Sequence, residues 1–174
     1  MTYPSITPLL EQEKIIRRWL RFFIGSLVLS GLTAFALETE LHWLITVWPA
    51  GTLTGLYDWI AKVHRALKDS NTRYPFLAYG YDWLAFAHLI IALFFVGPLR
   101  YPIENRWVLS VGMLACILVL PLAFIAGSVR GIPLYWRLID CSFGIIGIVP
   151  LAICYRKIGL LERAIRDHDR VAVT

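Results

Sequence analysis

WVLSVGMLACILVLPLAFIAGSV, residues 107–129, runs for 23 positions without an acidic or basic side chain. About 20 predominantly apolar residues cross the hydrocarbon core of a bilayer as a helix. This stretch decides the fold class, and the rest of the chain repeats its pattern. IGSLVLSGLTAFAL closes a first run at 15–37, FLAYGYDWLAFAHLIIALFFVGPL fills 76–99, and a last run occupies 134–155. The loops RYPIENR (100–106) and RGIP (130–133) are short, which makes the runs on either side antiparallel neighbours. The expectation is an all-α, polytopic transmembrane four-helix bundle, a single membrane domain over 1–174 with spans at 15–37, 76–99, 107–129 and 134–155. Pro75 suits the first turn of the second span. Gly97-Pro98 ends or bends that span, and Pro121 and Pro150 mark kinks in the third and fourth.

Composition agrees. Of 174 residues 58% are hydrophobic and 17% charged, where a soluble domain carries about a quarter charged residues. Mean hydropathy is +0.64. Seven Trp fit the enrichment of Trp and Tyr at membrane–water boundaries. The net charge of +5 argues for the positive-inside effect and against nucleic acid, because most Lys and Arg flank apolar runs instead of forming one solvated basic face. Cys116, Cys141 and Cys154 belong to no CxxC or Cys/His cluster. They read as small packing residues, with neither a disulfide nor a metal site.

The first run has a rival reading. A basic start, an apolar core and Ala34-Phe35-Ala36 imitate a signal peptide with its cleavage site. Glu11 and Glu13 in a long leading region argue for a retained span, whose Arg17, Arg18 and Arg21 snorkel back to the headgroups.

The segment 38–75 is the longest stretch that does not span. Pro49 and Gly51 break it, and TLTGLYDWIAKVHRALKD (52–69) follows with helical periodicity. Leu53, Leu56, Ile60, Val63 and Leu67 form one stripe. Asp58, Lys62, Arg65 and Lys68 lie largely opposite, with Asp58 and Lys62 as an i,i+4 ion pair. This predicts an additional interfacial amphipathic helix on the outer face. The tails 1–14 and 156–174 are polar, the second partly amphipathic with a short disordered end.

Orientation follows from charge. Eleven Lys and Arg, including the cluster Lys14, Arg17, Arg18 and Arg21, adjoin the same side as both termini; six adjoin the other. The excess places both termini in the cytoplasm and 38–75 outside.

Ionisable groups inside a membrane are costly, so each needs a reason. Asp82 and Asp140 lie about two turns into their spans from the outer side, about 10 Å deep at 1.5 Å per residue. Asp140 shares a face with Gly144 and Gly147, and Arg137 at i−3 is its expected partner. Arg130 lies just above. His64 falls inside the apolar stripe of the amphipathic helix, with His42, Glu38 and Glu40 near in sequence. Asp82, Asp140, Arg137, Arg130 and His64 thus form one outer polar layer, read either as helix-locking pairs or as a ligand or proton site. His88 sits near the middle of its span, about 240° around the helix from Asp82; it reads as an interhelical hydrogen bond, or as a ligand. Ser26, Ser30 and Thr33, and Gly112, Ala115, Cys116, Val119, Ala123 and Ala126, form small-residue stripes suited to close helix packing.

Three functions fit. The favoured one is a small subunit or assembly partner of a larger membrane complex, associating with other membrane proteins or with itself. The second is a membrane-embedded protein for small-ligand binding or proton-coupled transport, using the Asp/Arg/His layer; four spans without an inverted repeat make an incomplete transporter. The third is haem-mediated electron transfer, with haem b on His88 and on His42 or His64 reaching inward; no cofactor is otherwise expected. No GxSxG or HExxH motif supports an enzyme.

YPFLAYGYDWLAFAH (74–88) and RGIPLYWRLIDCSFG (130–144) resemble an uncharacterised family of small four-span bacterial inner-membrane proteins. The resemblance runs from the first span to the end of the fourth. It implies a bacterial inner membrane and transfers no functional residue.

Overall fold

The computed structural model describes residues 7–49 and 52–173. These form seven α-helices: α1 Thr7–Phe35, α2 Leu37–Val47, α3 Thr54–Arg73, α4 Ala78–Phe94, α5 Val96–Arg100, α6 Arg106–Val129 and α7 Leu134–Val173. A 3-10 turn, Pro75–Leu77, leads into α4. Three stretches are long and apolar enough to cross a membrane: Pro75–Arg100, Arg106–Val129 and Leu134–Arg166. A fourth is reached if α1 and α2 count as one broken span, since they bend by 88° at their junction.

The first run therefore differs from the expected straight passage over 15–37. Its helix begins at Thr7 and stops at Phe35. Neither Gly nor Pro sits at the break. Ala36 closes a tight turn, its N–H reaching the Thr33 carbonyl at 3.0 Å. Glu38 and Glu40 then occupy the first turn of α2, where the positive end of the helix dipole favours carboxylates. The chain turns where its apolar sequence ends and a helix-starting signal begins. Of the expected break at Pro49 and Gly51, Pro49 follows the end of α2 and Gly51 lies outside the described residues, as do residues 1–6 of the first tail.

The second run also breaks where expected. Pro98 has no N–H to offer the Phe94 carbonyl, and the helix is interrupted at Phe95 before α5. Pro121 and Pro150, by contrast, sit within continuous helices. The partly amphipathic segment after 155 continues α7 as helix to Val173, so the expected short disordered end is helical as far as that residue.

The chain divides into two compact units, Met1–Gly25 with Leu93–Thr174, and Ser26–Ala92. In the first, α6 and α7 pack along their length. Their contact row on α6 is Leu109, Gly112, Cys116, Val119 and Gly127. Ala115 and Ala126 of the expected stripe are exposed, because steps of three and four residues carry the contact row past them. Against this row lie Cys141, Gly144, Gly147 and Leu151 of α7. Ile16 and Leu20 of α1 are fully buried, and the Phe23 ring meets Phe95 edge-on at 4.7 Å. The Cys154 thiol points at the Ile16 carbonyl at 3.6 Å. All three cysteines are free.

In the unit Ser26–Ala92, the end of α1 meets α4 at Gly31. A Cβ at Gly31 would lie 2.9 Å from the Ala85 carbonyl oxygen and 2.9 Å from Leu89 Cδ2. Gly31→Ala should therefore cost about 1–3 kcal/mol, the usual range for overpacking. A lowered thermal midpoint in detergent is the expected result, and an unchanged midpoint would contradict this contact. Helices α2 and α3 form a hairpin. On α3, Ile60 is buried, and Leu56, Val63 and Leu67 are half-buried. Leu53 departs from the expected stripe: it precedes the helix with φ +44° and is exposed.

Candidate functional site

Arg137 and Arg130 belong to the turn between α6 and α7. Gly131 takes φ +67°, a conformation that favours glycine. The Ile132 N–H bonds the Gly127 carbonyl at 2.9 Å and the Gly131 N–H bonds the Ser128 carbonyl at 3.2 Å. This pair of bonds defines a Schellman ending. Arg130 is the exposed C-cap residue. Arg137 then reaches back over the turn. Its Nε donates to the Ile132 carbonyl at 2.8 Å and a terminal nitrogen donates to Ser128 Oγ at 2.6 Å. Its methylenes lie where a Cβ on Gly127 would sit, 2.6 Å from Cδ.

That geometry corrects the expected Arg137–Asp140 pair. Side chains on a helix lean toward its N-terminus, so Arg137 runs toward the turn and away from a residue three positions later. Asp140 is half-buried and has no hydrogen-bond or ion-pair partner among the described residues. The same lean governs His88. Its Nδ1 bonds the Leu84 carbonyl at 2.8 Å, one turn back on its own helix. A carbonyl only accepts, so Nδ1 carries the hydrogen in this contact. The expected interhelical bond of His88 is replaced by a local one. Arg17 bonds within the chain: it pairs with Glu13 at 2.6 Å and donates to the Leu99 carbonyl at 3.1 Å. Lys62 lies over the Trp59 ring at 5.7 Å and makes no ion pair with Asp58 among the described residues.

His64 does find a polar neighbour. Its ring lies 5.4 Å from that of His42, tilted by 33°. Farther along the same hairpin, one turn on α2 and two on α3, Asn71 donates to Glu38 at 2.6 Å and accepts from the Tyr81 hydroxyl at 2.9 Å. This chain ties α2, α3 and α4 together. Sequence reasoning placed His42 and Glu38 nearby but missed Asn71 and Tyr81. The available signal was spacing: Glu38 and His42 share one face of α2, and His64 and Asn71 share one face of α3.

Asp82 lines an open groove of about 250 Å³ with Phe35, Tyr79, Trp83 and Phe86. It is half-buried and has no hydrogen-bond or ion-pair partner among the described residues. His64 and Asp82 thus belong to the unit Ser26–Ala92, and Arg130, Arg137 and Asp140 belong to the other. No group of three or more metal-ligating side chains occurs among the described residues.

A second polar cluster was not anticipated. At the other end of α6, a terminal nitrogen of Arg106 bonds Glu162 of α7 at 2.7 Å. The guanidinium also stacks on Tyr155 at 4.0 Å. Reading 156–174 as a tail hid this contact, which needs α7 to continue as a helix. No family model, no curated protein and no solved structure matches the chain.

Proposed function

We propose that this chain is a multi-pass protein of a bacterial inner membrane that serves as a small subunit or assembly partner in a larger membrane complex. Both termini face the cytoplasm, and the amphipathic α3 lies at the outer interface; the charge distribution and the stripe on α3 support that placement. The observation that carries the assembly reading is Asp140. A carboxylate about 10 Å inside an apolar span calls for a donor, and none of the described residues offers one, since Arg137 is engaged at the turn. A helix of another subunit, or of a second copy, supplies the donor. The spans leave room for such neighbours: within the chain, only 11% of an apolar 18-residue window of α6 and 28% of one in α7 is buried.

The test is extraction of the intact protein in mild detergent, followed by native mass measurement of wild type and Asp140→Leu. Wild type should carry stoichiometric partners or self-associate. Removing one interhelical donor–acceptor contact should weaken that association by about threefold to thirtyfold, on the 0.6–2 kcal/mol scale of such contacts. A wild-type protein isolated repeatedly as a bare monomer would overturn the reading. So would an Asp140→Leu variant whose association is unchanged.

A further inference from the structure

The arginines of α1 meet different fates. Arg17 is taken up by Glu13 and the Leu99 carbonyl. Arg18 and Arg21 are exposed and bond no described residue. The helix has no carboxylate to spare for them: its acidic residues are Glu11 and Glu13, and Glu11 lies 3.9 Å from Lys14. Contacts on the opposite face fix their level. The Ile16 carbonyl meets the Cys154 thiol of α7 at 3.6 Å, and the Phe23 ring lies 3.5 Å from where a Cβ on Gly147 would sit. Between these points α7 reads GIVPLAIC (147–154), without a charged residue. Both guanidinium groups therefore leave α1 at the level of an apolar stretch of its neighbour, on the face turned away from it.

We infer that Arg18 and Arg21 hold the phosphate of an anionic phospholipid in the leaflet on the side of the termini. The two are three positions apart and share one face. Helical side chains lean toward the N-terminus, so both reach toward the headgroups. Arginine binds phosphate through paired, charge-assisted hydrogen bonds. The same face continues inward through Phe22, which is 54% exposed, and Gly25, where a Cβ would meet open space. That apolar track suits an acyl chain, which makes the anion a lipid and not free phosphate. An anionic lipid is preferred to a zwitterionic one because the carboxylates of α1 are already engaged and leave none to receive an ammonium group. The inference rests on the membrane placement proposed above and is independent of association through Asp140.

Intact protein in nanodiscs of equal phosphatidylglycerol and phosphatidylcholine is released in a native mass measurement, and the retained lipids are identified. Phosphatidylglycerol should be enriched over its share of the disc by about fivefold or more, the scale set by one arginine at an anionic surface. Arg18→Gln combined with Arg21→Gln should bring the ratio to within about twofold of the disc. The charge-matched control is Arg163→Gln combined with Arg166→Gln. It removes two exposed arginines farther along α7 and should keep the wild-type enrichment. None of these four arginines bonds a described residue, so both double variants should keep the wild-type helical circular dichroism.

Wild type that retains both lipids in the proportion of the disc would overturn the inference, whatever the variants do. Equal loss in the two double variants would overturn it as well, since net charge and not a site would then set the preference. Sodium phosphate, compared with chloride at equal ionic strength, should release no more phosphatidylglycerol. Greater release would mean that the arginines take the anion without its chain, which overturns the lipid assignment. Protein that does not enter the discs would overturn the membrane placement and this inference with it. None of these lipid ratios bears on the association tested through Asp140, which is read from protein mass.

Discussion

Gly144→Ala is expected to destabilise the α6–α7 hairpin by about 3 kcal/mol or more, at or above the top of the usual overpacking range. A Cβ at Gly144 would lie 2.5 Å from the Cys116 carbonyl oxygen and 3.5 Å from its carbonyl carbon. These are backbone atoms of a continuous helix, so no rotamer change relieves the clash. The helices must separate, and separation loosens the contacts above and below. Gly147 faces Cys116 Sγ at 3.2 Å, and Gly112 faces Phe95 and Leu151 at 2.7 and 3.0 Å. Gly147→Ala meets only side chains, Cys116 Sγ and the Phe23 ring, and should cost less, about 1 kcal/mol. Thermal unfolding of both variants in the same detergent checks the order. If Gly144→Ala unfolds with Gly147→Ala or above it, the hairpin does not pack as described.

The contrast between these glycines shows what sequence alone conveys. Spacing placed Gly144 and Gly147 on one face of the fourth run, and small residues on one face of a span imply a close neighbour. Spacing did not choose which row of α6 would meet them. Gly112 and Cys116 lie in the contact row, whereas Ala115 and Ala126 face away. The choice rests on how two helices cross, which neither helix specifies alone.

The ends of the elements were read well where a backbone rule governs them. Pro98 interrupts the second run because it lacks a donor, and Gly131 ends α6 because it tolerates positive φ. The turn at Ala36 has no such marker. Its causes are a loss of apolar sequence and a pair of glutamates starting α2. These weak signals read more easily as the end of a span than as a bend of 88°.

Side-chain partners were the least legible part. Residue spacing suggested Asp140 for Arg137, yet the lean of helical side chains sends Arg137 to Ser128 and Ile132. His88 finds Leu84 for the same reason. The groove aromatics were visible one at a time, but Phe35 joins Asp82 and Trp83 only through the packing of α1 on α4.

The largest polar effect should come from Arg106 and Glu162, which that reading did not pair. The two side chains are 29% and 21% exposed and meet at 2.7 Å. A Cβ at Gly159 would come within 3.0 Å of the Arg106 guanidinium, so the glycine gives this group room to lie across α7. Arg106 Nε is buried without a hydrogen-bond partner among the described residues, which leaves the guanidinium dependent on Glu162 and on the Tyr155 face. Glu162→Ala strips the carboxylate from a largely desolvated cation and should cost about 2–3 kcal/mol, below the 3–5 of a fully buried pair because some water reaches it. Arg106→Met keeps an unbranched stem but leaves Glu162 without its cation, and should cost about 1–2 kcal/mol. The double variant Arg106→Met with Glu162→Leu removes both charges. It should recover much of the loss, because exchanging a desolvated ion pair for apolar side chains is often neutral. A double-mutant cycle followed by thermal unfolding measures the coupling directly. Single variants that each cost less than about 0.5 kcal/mol, the range of an ordinary surface change, would mean that this pair does not hold the extended α7 against α6.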